Sequence, residues 1–192
     1  ALIASSILWW RDVVSESEGG KFHNKVVQIG LRYGMILFIA SEVMFFSAWF
    51  WAFFDVAFYP GENSQELIGR QEALGGVFPP DDIELIPPFG IPLLNTFILL
   101  ASGGTVTWAH HALIEDDRSD FLLALTITVL LGISFTFLQA LEYMHAPFGF
   151  TEGIYPSTFY MATGFHGFHV LVGTIFLAVC LWRGKLGHFN KD

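Results

Sequence analysis

The chain has very little charge for its length. Asp, Glu, Lys and Arg together make up 14% of 192 residues, well below the roughly 25% of a soluble domain. It has one cysteine, Cys180, which excludes an intramolecular disulfide and any paired-cysteine metal or redox motif. The net charge is −9 and no basic patch accompanies it, so nucleic acid is not an expected partner. There is no phosphate-binding glycine loop, no hydrolase motif and no nucleophile set beside a base. The opening "ALIASSILWW" has no basic region and no cleavage site, so it does not read as a signal peptide. Its ten residues are also too few to cross a bilayer, which takes about 20. Residues 1–10 are therefore expected to be the end of a helix whose beginning lies outside the sequence, which would make the chain a fragment.

What the chain does have is oil. Hydrophobic residues are 53% of the total and Phe alone occurs 21 times. Four stretches are long and nearly free of charge: Tyr33–Phe54, a second within Leu85–Ile114, Phe121–Leu141, and a fourth within Gly153–Trp182. Each is long enough for about 30 Å of hydrocarbon at 1.5 Å per residue. Helices are expected at about 26–58, 92–114, 120–143 and 156–183, with Pro92 tolerated in a first turn. Between them lie a long acidic segment (55–92, with five prolines from Pro60 to Pro88), the tight turn "EDDRSD" and a short loop at 142–154. The pattern predicts an all-α polytopic membrane bundle: one transmembrane domain over 1–192, four complete spans and the end of a fifth helix.

Lys and Arg give the expected orientation. Four spans put eight of the nine on one side: Arg11, Lys21, Lys25, Arg32, Arg118, Arg183, Lys185 and Lys191. Only Arg70 lies on the other. The first side is therefore expected to face the cytoplasm or its equivalent. Small and hydroxyl residues then suggest how the helices meet. Gly30 and Gly34 are four apart, and Thr128, Gly132, Thr136 and Gln139 should form one stripe facing other protein.

Two sets of polar groups stand in the oil. Glu42 is the one charged residue between Tyr33 and Phe54, with Phe38, Ile39, Phe45 and Phe46 as its helical neighbours. Intramembrane acids are costly and commonly functional. The readings are a carboxyl hydrogen-bonded to another helix, or a proton-relay or lipid-cleft residue. His110 and His111 are adjacent, and His166 and His169 share a helical face. The two pairs should lie more than a turn apart in depth, because His111 is near one end of its span and His169 about 20 Å inside its own. That argues against a joint metal or haem site. Structural hydrogen bonding is the expected role of these four histidines.

Six segments carry a resemblance: "WWRDV", "GLRYGMILFIASEVMFFSAWFWAFF", "IPLLNT", "TWAHHALIEDDR", "LQALEY" and "YMATGFHGFHVLVGTIFL". In this order they resemble subunit III of the haem–copper cytochrome c oxidases, from Trp9 to the C-terminus. The resemblance implies a partial version of a seven-helix fold in which a V-shaped cleft separates the first two helices from the other five. Residues 1–10 would end the second family helix, and the four spans would be the third to sixth.

It also implies an accessory, non-catalytic membrane subunit of a proton-pumping oxidoreductase. Such a subunit has no haem, copper or other cofactor of its own. The haem and copper would sit in subunits I and II, with this chain packed directly on subunit I. It would support proton uptake, phospholipid binding and stability in turnover. Glu42 matches the family's buried glutamate, and Trp10, Glu16, His23 and Arg183 match its lipid head-group positions. The expected location is the bacterial cytoplasmic or mitochondrial inner membrane, Lys/Arg-rich loops toward the cytoplasm or matrix. Two other readings are the equivalent subunit of a quinol oxidase, and an independent transporter or channel using Glu42 with His166 and His169.

Overall fold

The computed structural model describes residues 1–20, 22–61, 69, 72 and 74–189. Lys21, Arg70 and Lys191, counted above for orientation, lie outside the described residues. Five long helices follow one another: α1 (Leu2–Glu18), α2 (Lys25–Phe58), α3 (Ile91–Glu115), α4 (Arg118–His145) and α5 (Ile154–Leu186). No strand occurs among the described residues. The protein is all-α, and α2 to α5 are each long and apolar enough to cross a membrane. It is an integral membrane protein.

Local chemistry sets the helix ends. Asn24 accepts from the Val27 N–H with its side chain at 3.0 Å, just before α2, and so satisfies one of the orphan donors of a first turn. Pro92 sits in the first turn of α3, where its missing N–H costs nothing. Only two residues join α3 to α4. Asp116 takes a left-handed conformation at φ 69°, and Asp117 accepts from the Asp120 N–H at 3.0 Å as the α4 cap. The first helix runs eight residues beyond the greasy opening, through "RDVVSESE".

The chain divides into two compact units, residues 1–48 and 49–192. The first holds α1 and most of α2. None of its described residues is buried. The second is built round α4, which packs against α3 on one side and α5 on the other. Its main buried cluster sets three alanines beside two larger side chains: Ala109 and Ala112 of α3 against Phe121, Ala124 and Leu125 of α4. Small side chains let backbones approach, and the close packing that results helps drive helix association in lipid. Thr105 and Thr128 share a hydrogen bond of 2.8 Å across the α3–α4 seam. On the α5 side, Gly132 lies against Thr174 and Gly184 against Phe121, each leaving no room for a Cβ. The end of the bundle away from the α3–α4 turn is an aromatic cluster. Phe148 there meets Tyr155, Phe159 and Tyr160 at ring separations of 5.5–5.6 Å.

Candidate functional site

Glu42 lies on α2 within the first unit and is half-buried. The next two side chains, Val43 and Met44, are exposed. Phe45 and Phe46 meet edge to face just beyond it, with centroids 5.6 Å apart. Ser41 donates to the Phe38 carbonyl at 2.6 Å, so the hydroxyl beside the acid is spent on its own helix.

Three of the four head-group candidates belong to that same unit, and the structure brings two of them together. Helix α1 ends at Glu18. Gly20 then turns the chain at φ 67°, a left-handed value that favours glycine. The turn carries His23 back to the last turn of α1, where its Nε2 lies 3.8 Å from the Glu16 carboxylate. The imidazole is well covered, while Glu16 remains mostly open. Gln28 holds the loop by donating to the His23 carbonyl at 3.0 Å. Trp10 stands earlier on α1 and is half exposed. The result is an acid and a nitrogen base at one helix end, with an indole up the same helix.

Arg183 belongs to the second unit. It sits in the last turn of α5, with its guanidinium 5.1 Å above the Phe189 ring, within cation–π range. Phe189 packs edge-on against Phe121 at 6.0 Å, so the aromatic under the arginine is anchored in the core. Arg118 closes the same end by donating to the Lys185 carbonyl at 2.8 Å. A cavity of about 150 Å³ opens there between Asp116, Arg118, Phe121, Gly187 and Phe189.

The histidines are dispersed. His110 and His111 are exposed on α3, with rings 6.0 Å apart. His166 meets the edge of Phe135 at 5.7 Å. His169 bonds the Phe165 carbonyl of its own helix through Nδ1 at 2.6 Å. Among the described residues, no three His, Cys, Asp or Glu side chains gather as a metal site would require.

The structure adds two residues that sequence reasoning passed over, Asn95 and Glu142. Both are buried, at 3% and 9% exposure. Neither polar atom of the Asn95 amide nor Oε1 of Glu142 has a hydrogen-bond partner. Glu142 falls where the expected helix 120–143 gives way to the expected loop 142–154, just past the uncharged run. A signal existed: Phe121, Thr128, Phe135 and Glu142 are buried at seven-residue intervals, and Glu142 continues that stripe.

Comparison with known proteins decides the family. The family described as cytochrome c oxidase subunit III matches residues 1–192. The chain belongs to the cytochrome c oxidase subunit III family. Among its relatives, the cytochrome c oxidase subunit 3 of Prototheca wickerhamii is 54% identical over 185 residues, covering 96% of this chain and 67% of the relative. That of Danio rerio is 51% identical over 191 residues, covering 100% and 69%. That of Arabidopsis thaliana is 50% identical, covering 100% and 68%. As a member of the subunit III family, the chain is a subunit of a cytochrome c oxidase, an oxidoreductase complex of several subunits in a membrane.

Proposed function

We propose that the chain is an accessory, non-catalytic subunit that holds phospholipid against the catalytic subunit and sustains proton uptake in turnover. Haem and copper belong to its partners, subunits I and II, and this chain packs directly on subunit I. The Lys/Arg-bearing segments face the side from which protons are taken up, the cytoplasm or matrix. Support for assigning these roles comes from family membership over the whole chain.

One observation carries the lipid part: the 3.8 Å approach of Glu16 and His23 at the end of α1. A zwitterionic head group needs an acceptor for its amine and a donor for its phosphate. Glu16 and His23 supply that combination, and Trp10 is the kind of side chain that anchors at an interface. Arg183, in the other unit, is a phosphate donor in its own right, held by its contact with Phe189. Glu42 acts as a cleft-lining acid beside the acyl region of the bound lipid.

The test uses the assembled oxidase. Phospholipid phosphorus per complex and oxygen consumption over many turnovers are measured for wild type, Glu42→Gln, and His23→Ala combined with Arg183→Ala. The expected result is a normal initial rate, less retained lipid in the double variant, and activity lost severalfold sooner in both. Unchanged lipid and unchanged durability in both variants would sink the reading.

A further inference from the structure

We propose that Asn95 of α3 and Glu142 of α4 enclose an internal water site at the end of the bundle away from the α3–α4 turn. Both side chains are more than nine-tenths buried by this chain alone. Asn95 Oδ1, Asn95 Nδ2 and Glu142 Oε1 have no hydrogen-bond partner. Buried polar groups of this kind are satisfied in proteins by direct partners or by ordered water.

The two residues converge by register. α3 and α4 run antiparallel across a two-residue turn, and the Thr105–Thr128 hydrogen bond marks one level of the seam. Asn95 precedes Thr105 by ten residues and Glu142 follows Thr128 by fourteen. At 1.5 Å per residue they lie about 15 Å and 21 Å beyond the threonine pair, so their Cα atoms differ in height by about 6 Å. The faces also agree. Fourteen residues are close to four helical turns, so Glu142 returns to the face of Thr128. Asn95 likewise returns to the face of buried Ala109.

The lean of the side chains closes part of the gap. A helical side chain tilts toward the N-terminus of its own helix. Asn95 therefore leans away from the turn, toward the level of Glu142. Glu142, on the oppositely directed helix, leans back toward the level of Asn95. The two groups approach along the seam from either side of the height difference. The amide offers two donors and an acceptor, and Glu142 Oε1 adds an acceptor. Water can give to the acceptors and take from the amide, which a lone apolar filler cannot do.

A map of the assembled oxidase at a resolution that shows water tests this in the wild type. The expected result is ordered density within about 2.7–3.2 Å of both Asn95 and Glu142. Two findings would overturn it: the side chains bonded directly to one another, or an enclosed gap with no density. A second measurement is the amount of this subunit retained in the complex after a heat step. Asn95→Leu and Glu142→Leu should each lose most of it, because each strands the other residue with its water. The double variant should lose no more than the worse single one. Strictly additive losses would also overturn the proposal. If the Leu variants do not assemble, the wild-type map decides alone.

Discussion

Phe121 and Phe38 are the same side chain in two settings. Phe121 is 5% exposed in the bundle and Phe38 is 57% exposed on α2. Both belong to helices apolar enough for a membrane. The difference between them is therefore packing rather than hydrophobicity, since lipid is as apolar as a protein core. The bundle of α3, α4 and α5 supplies its own neighbours. Among the described residues of the 1–48 unit, none is fully buried. A helix can be equally greasy and yet contribute unequally to the stability of its own chain.

The comparison can be broken by pairing variants across the two regions. The largest effect is expected from Phe121→Ala, at about 3 kcal/mol for an emptied aromatic site. Phe38→Ala should cost under about 0.5 kcal/mol, as at an open site. Thermal unfolding of the purified complex, followed by loss of this subunit, reads both. Equal effects would show that α2 is as enclosed in the assembly as α4 is in the chain. Next comes Gly184→Val, which forces Phe121 and Leu122 aside and should cost about 2 kcal/mol by overpacking. Gly34→Val meets nothing within 4 Å in this chain. A drop in subunit retention for Gly34→Val would sharpen the comparison by locating a partner against that face of α2.

Smaller effects follow. Thr128→Val removes the hydroxyl bonded to Thr105 and should cost about 1 kcal/mol. Thermal unfolding again serves, with Thr105→Val expected to add little to it. Smallest are the caps. Asp117→Ala and Asn24→Ala should each cost between about 0.5 and 1 kcal/mol. Here the two regions should behave alike, because a cap acts on its own first turn. Amide exchange at Asp120 and Val27, the N–H groups that lose their acceptors, would check this locally.

The four spans could be read from the sequence because hydrophobic length is a one-dimensional property. Glu42 stood out for the same reason, as one charge in an uncharged run. Glu142 did not, because it adjoins "YMHAP" and looks like the start of a loop. Its burial depends on a stripe of contacts across two helices, which a count of charges does not see. Asn95 was hidden similarly, three residues after Pro92, where a polar residue reads as an ordinary feature of a helix start. The Glu16–His23 approach depends on the turn at Gly20, and seven residues of spacing do not reveal it. The extension of α1 past Trp10 was missed because "RDVVSESE" is polar, and polarity was mistaken for the end of the helix. The resemblance named the right family because whole motifs, rather than single residues, carried it.

The two-residue turn between α3 and α4 has a consequence for how the chain assembles. Closing so short a connection costs little loop entropy, and Asp117 caps the second helix within that turn. The hairpin can therefore zip from the turn outward. The alanine contacts would form first and the Thr105–Thr128 bond next. The seam around Asn95 and Glu142, farthest from the turn, would close last. Whatever that seam encloses is then trapped at the final step of zipping, when the hairpin is otherwise complete.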